Sequence, residues 1–359
     1  MGRAPTTAPP LAGPGVRAGI PRWAALGVGG YACALGAGLC WSTTGVFIRL
    51  LGREGMGPFA CTLGRAAVAS ALIALGSAAF DRRLLAIRAR ELPGLSVLAV
   101  CSVLLSQGMF MYCISRVPLA VAVVLNYTNP MFVALIAWLV LRQRLGWRHV
   151  LALALTMAGV VLVTGLVGGP AAAGGAPALA PGPSGPREPA PAAALPPLAV
   201  AAGLVSGLGY AVLTVLADRL IRDRSPLTLH FWTMTLGGAA LLAVLLLAGA
   251  PLERPASGTG WLELLGLGAV PGLLGFYLYI TGVRAIAPHR AAIVATVEPV
   301  AAGLLGYLAF GEELTGLQVL GMVLVLAAIF LVSLGKRASP GGAEAAGGRV
   351  GALGSWDRD

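Results

Sequence analysis

The sequence predicts an all-α integral membrane protein of ten transmembrane helices, arranged as two inverted five-helix repeats. Three observations lead there. Of 359 residues, 57% are hydrophobic and only 11% are charged, where a soluble chain carries about a quarter charged residues. The apolar residues run on for about 20 positions at a time, the length that spans a hydrocarbon core. Features of the first half also return in the second at one spacing. Asn129-Pro130, Leu139 and Leu145 are matched 169 positions later by Glu298-Pro299, Leu308 and Leu314. Gly38-Leu39 and Trp41 are matched at the same spacing by Gly207-Leu208 and Tyr210.

Residues 1–23 are rich in Pro, Ala and Gly and read as a disordered cytoplasmic N-terminus. The first repeat, 24–167, holds spans expected at about 24–48, 57–80, 92–115, 118–141 and 147–167. Each is read as a helix, because lipid offers backbone groups no partner and barrel strands are shorter and alternate in polarity. The first span carries Trp41, the second Arg65, the third Gln107, and the fourth the polar cluster Asn126 to Asn129. Residues 168–196 are rich in Pro, Gly and Ala and read as a linker. The second repeat, 197–335, has spans expected at about 197–217, 226–250, 261–283, 288–310 and 314–335. Gly203 and Gly207, and Gly268 and Gly272, are small residues four apart that favour close helix contacts. Residues 336–359 read as a disordered tail.

Charge sets the expected orientation. Nineteen of the 25 Lys and Arg residues fall in the loops and at the span ends on the side of the N-terminus, five, including Arg49 and Arg53, on the other, and Arg65 lies inside a span. This bias predicts a multi-pass cell-membrane protein with both termini cytoplasmic. The net charge of +11 therefore needs no nucleic-acid partner. No cleavable signal is evident, since the first apolar run is too long for one. The five cysteines lie in apolar segments without metal spacing and read as packing residues. His149, His230 and His289 lie on separate spans, so neither a metal site nor a catalytic base is expected. No Gly-rich phosphate loop is present, and no cofactor is expected.

Five spans per half is an odd number, so the second half must run upside down relative to the first. Inverted repeats build secondary transporters, with the site near the midplane between the halves. Glu298 lies about ten residues into its span, hence near the bilayer centre. A low dielectric disfavours its charge, so it is a candidate proton carrier. The alternative is a protonated carboxyl that holds a neighbouring helix. Pro130 and Pro299 each remove a backbone donor and free a carbonyl one turn earlier, at Asn126 and Ala295. Asn126 and Asn129, with Tyr127 beside them, either face a cavity or bond between helices. Trp41 and Tyr210 are cavity walls or interfacial anchors. Tyr277, with Phe276 and Tyr279, and Gln107 are further wall candidates that packed core would also explain. Arg65 reads as a structural anchor that snorkels or meets a carboxylate.

These features resemble the EamA-type members of the drug/metabolite transporter superfamily. The resemblance rests on the five-plus-five spans, on Glu298-Pro299-Val300 followed by Gly311-Glu312 and Leu314, and on the apolar run from Gly321 to Leu334. It covers roughly residues 30–335. The first half departs from it, with Arg142-Gln143 where the second has Gly311-Glu312. The resemblance implies a non-enzymatic, ATP-independent exporter of small metabolites such as amino acids. The alternative is a proton-coupled exporter of hydrophobic cations through Glu298. The superfamily's small four-helix drug exporters carry their carboxylate in the first helix, which has none here. A scaffold or an intramembrane enzyme is less expected: a scaffold needs no duplicated core, and no catalytic set converges.

Overall fold

A computed structural model describes residues 27–80, 85–139, 147–163, 195–220, 225–286, 291, 294–312 and 314–333. The N-terminal segment, the linker as far as residue 194, the tail and the Arg142-Gln143 turn lie outside the described residues, while Leu195, expected in the linker, is buried in the core. Every regular element described is helical. The first half comprises α1 (Gly27–Ser42), α2 (Thr44–Arg53), α3 (Pro58–Phe80), α4 (Leu92–Ala99), α5 (Met109–Ile114), α6 (Leu119–Asn126), α7 (Asn129–Leu139) and α8 (Trp147–Val163). The second comprises α9 (Pro197–Leu220), α10 (Pro226–Leu247), α11 (Gly258–Leu267), α12 (Gly275–Ile286), α13 (Val297–Phe310) and α14 (Gly316–Ser333). A π-helix, Val100–Gly108, joins α4 to α5, and another, Gly268–Leu274, joins α11 to α12.

Among the described residues, six stretches are long and apolar enough to cross a membrane: Gly29–Arg53, Pro58–Ala79, Ala89–Ile114, Pro197–Leu216, Pro226–Leu247 and Gly258–Ile286. Shorter apolar helices at Leu119–Val133, Val150–Leu162, Val297–Phe310 and Gly316–Ala328 stand where the other four spans are expected. Two of the expected spans differ in detail. The first runs on to Arg53 instead of ending near 48, because Arg49 is not a loop cation: it is buried and paired with Glu312. The fourth is interrupted at Tyr127-Thr128, just before Pro130, instead of being one helix.

Packing follows a pattern that is unchanged when the halves are exchanged. Helix α1 packs on α12 and α13, while α9 packs on α5, α6 and α7 and on the π-helix between α4 and α5. Helix α3 packs on α10, and α8 on α14. The irregularities repeat as well. The two π-helices overlap at the 169-residue spacing, and the turn at Tyr127 corresponds to the turn at Thr296.

One end of the bundle is solid. Ile48, Leu51, Ile114, Val117 and Leu119 are fully buried there, against Leu195 and Ala199 at the start of α9. Arg49 and Glu312 form a salt bridge across the two halves within this cluster. The Arg49 Nη2 also donates to the Val117 carbonyl at 2.9 Å, and Glu312 Oε2 accepts from the Leu119 N–H at 3.0 Å. The Phe310 ring lies 4.9 Å from the Arg49 guanidinium carbon, giving the cation an aromatic face. With both charges bonded further, the geometry offsets the desolvation that burying an ion pair costs.

Candidate functional site

The site is built on the two helix breaks. Pro299 has no N–H, so the Ala295 carbonyl lacks its helical donor. That carbonyl accepts instead from the Tyr127 hydroxyl of the other half, at 3.2 Å. Pro130 likewise frees the Asn126 carbonyl, which accepts from the Asn129 side-chain amide at 3.3 Å. Each freed carbonyl is approached by an equivalent glycine from the opposite half. A Cβ at Gly38 would come within 2.8 Å of the Ala295 oxygen, and one at Gly207 within 3.1 Å of the Asn126 oxygen. Larger residues would force both helices away from the breaks. Ser206 donates to the Asn126 side-chain oxygen at 2.6 Å and fixes that amide.

The breaks meet at Glu298. Glu298 is 7% exposed as a residue, and its Oε2 lies 3.0 Å from the Tyr127 hydroxyl. Tyr127 thus has two acceptors in reach and one hydrogen to give. With Glu298 ionised, that hydrogen goes to the carboxylate. With Glu298 protonated, the carboxyl can donate to Tyr127 and release its hydrogen to the Ala295 carbonyl.

Around this pair lies a cavity of about 400 Å³, within the range of small-molecule sites. Glu298, Asn126, Asn129, Tyr127, Trp41, Tyr210 and Gln107, scattered through both halves, all line it. Tyr277 does not. It is 39% exposed and faces a separate small groove with Ser225 and Leu227, because Phe276 and Tyr279, three positions apart, turn the cavity face of α12 away from it. Pro130 and Pro299 act through the carbonyls they free. Trp41 packs on Tyr279 at 5.1 Å between ring centroids, and His230 stacks on Phe276 at 4.0 Å and 9°. The hollow reaches Leu213 and Thr214 near the end of α9 and Leu229 at the start of α10. It therefore extends away from the solid end that holds the Arg49–Glu312 pair.

Several wall residues escaped the sequence reading. Arg65 lines the cavity instead of snorkelling, and it meets no carboxylate at salt-bridge distance among the described residues. Its Nη2 donates to the Pro271 carbonyl at 3.3 Å. His230 Nε2 donates to the Gly272 carbonyl at 3.0 Å. Both acceptors belong to the second π-helix, a kind of irregularity that recurs at functional sites. Ser102 and Ser106, from the first π-helix, and Thr233 add hydroxyls. The serines, four apart and next to Gln107 on the third span, were a signal available in the sequence. Among the described residues, no group of three or more His, Cys, Asp or Glu could hold a metal ion.

Comparison with known proteins places the chain among relatives. The EamA-like transporter family matches it twice, over residues 28–165 and 197–334. The two matches begin and end 169 positions apart, the spacing that relates Pro130 to Pro299. The chain is similar to an uncharacterized transporter of Archaeoglobus fulgidus, 40% identical over 36% of this chain and 45% of that one. It is 30% identical to the uncharacterized transporter sll1319 of Synechocystis, over 62% of this chain and 61% of that one. The chain thus spans about half to three-fifths of these two relatives. Protein PecM of Dickeya dadantii is 27% identical over 62% of this chain and 68% of its own. A solved crystal structure shares the fold, with a TM-score of 0.57 at 18% identity over 86% of this chain and 97% of that one.

Proposed function

We propose, from the premise that this chain belongs to the EamA-like transporter family, that it is a secondary active exporter of small polar metabolites such as amino acids. The observation that carries this reading is the cavity at the junction of the two repeats, walled by both helix breaks and mixing polar with aromatic groups. Ten transmembrane helices as two inverted repeats, with both termini cytoplasmic, supply the mechanism. Rocking one half against the other exposes the cavity to each side in turn. The arrangement described here is packed at the Arg49–Glu312 end and hollow toward Leu213, Thr214 and Leu229, in keeping with one such state. In the proposed orientation that hollow faces the cytoplasm.

A second reading is a proton-coupled exporter of hydrophobic cations. A specific observation favours it: the Glu298 carboxyl shares the cavity with Trp41, Tyr210, Phe276 and Tyr279, an aromatic setting suited to a cation.

Purified protein in liposomes tests both. Counterflow of labelled amino acids is expected in the wild type, and movement of labelled tetraphenylphosphonium instead favours the second reading. Glu298→Gln is expected to remove the dependence of transport on an imposed pH gradient. Transport that keeps its pH dependence in this variant removes Glu298 as the proton carrier.

A further inference from the structure

Arg65 is a guanidinium in mid-span, 9% exposed, with no carboxylate at salt-bridge distance among the described residues. A buried charge without a counter-ion is costly and marks a functional position in a membrane helix. The contrast with Arg49 is direct: that buried arginine has its carboxylate in Glu312. Among the described residues Arg65 has one neutral partner, the Pro271 carbonyl on Nη2, and its Nε has none. The Pro271 bond fixes the plane of the guanidinium, Nε is packed away beside Gly272, and the Nη end remains as the donor pair that a carboxylate can bridge.

Glu298 lines the same cavity, also without a salt bridge among the described residues. Two opposite charges therefore face one hollow and attract each other across it without forming a salt bridge. The Gln107 carbonyl oxygen is likewise buried without a donor. Among the described lining residues Arg65 is the one cationic side chain, since His230 is stacked on Phe276 and its Nε2 is engaged by Gly272. A single positive charge matches a carboxylate. A phosphate would bring more negative charge than Arg65 can offset, into a space shared with Glu298.

We propose that Arg65 is the anion-binding pole of the cavity, taking the carboxylate of a zwitterion whose ammonium group meets Glu298 and Gln107. This rests on the transport reading above and fixes what the substrate must carry. It makes Arg65 a specificity-determining residue.

The test uses proteoliposomes of the full chain and a panel of labelled neutral amino acids. For each one exchanged by the wild type, competition by the unlabelled acid is compared with that by its methyl ester, which keeps the ammonium and loses the carboxylate. The ester is expected to compete at least about tenfold more weakly, the loss of one hydrogen-bonded charge contact. Arg65→Gln is expected to raise KM by a similar factor and to erase the difference between acid and ester. Arg65→Lys should restore part of it. The wild-type comparison stands whether or not the variants fold. Equal competition by acid and ester overturns the proposal, as does an unchanged KM in Arg65→Gln. Movement of tetraphenylphosphonium with no amino acid exchanged overturns it and leaves transport standing. If nothing in either set moves, both readings fall.

Discussion

The Tyr127 hydroxyl has one hydrogen and two acceptors, Glu298 Oε2 at 3.0 Å and the Ala295 carbonyl at 3.2 Å. It therefore reports the protonation of Glu298 to the backbone of the opposite half's broken helix. Tyr127→Phe removes the donor and leaves two buried acceptors unserved. The expected result is a loss of about 1–3 kcal/mol for a buried group left unpaired, read as a lower unfolding temperature in detergent. An unfolding temperature equal to the wild type's would mean that the hydroxyl bonds neither acceptor. At this scale the sequence was informative where polarity stands out against an apolar run, as at Glu298, Asn126 and Gln107. It was misleading at Arg65, whose partner Pro271 is 206 positions away and whose setting depends on a π-helix that no periodicity announces.

At the scale of elements, the breaks and the clamp do separate work. The prolines foretold the freed carbonyls, and Gly38 and Gly207, already paired by spacing, are the positions where the helices close on those carbonyls. The acidic turn at Gly311-Glu312 was legible as a feature and not as a contact. Its partner Arg49 reads in the sequence as a loop cation, and only folding brings the two together. Glu312→Ala leaves Arg49 as a buried charge with no carboxylate. Breaking a buried pair in this way costs about 3–5 kcal/mol, which is expected as a large fall in thermal stability. The double replacement Arg49→Met with Glu312→Leu should recover most of it. A single variant as stable as the wild type would show that the pair does not hold the two halves together at that end. The π-helices are mixed: Pro271 stands inside the second, whereas the first holds no proline and emerges from packing.

At the scale of the molecule, a duplicated chain gives two similar halves, and the cavity forms where their irregular helices face each other. The repeat was the most legible property of the sequence, since a constant spacing needs no knowledge of contacts. What it left open was which side chains the junction would gather. Rotation about each helix decides that, as the exposure of Tyr277 beside the inward Phe276 and Tyr279 illustrates. The two halves are alike in backbone and unlike in charge. Glu298 stands where the first half has Asn129, and Arg65 comes from the first half alone, with Met234 at the matching position. Alternating access asks for similar gates, and binding a zwitterion asks for unlike poles.

The central claim is that this cavity carries the substrate. Counterflow of labelled amino acids into proteoliposomes, wild type against Thr214→Trp, tests it most directly. Thr214 is an exposed residue on the cavity wall, so the larger ring can fill the hollow without entering the packed end. Saturable exchange by the wild type, lost in a Thr214→Trp protein that still unfolds at the wild-type temperature, is the result predicted. Exchange that continues unchanged with the cavity filled, or a wild type that moves nothing, would contradict it.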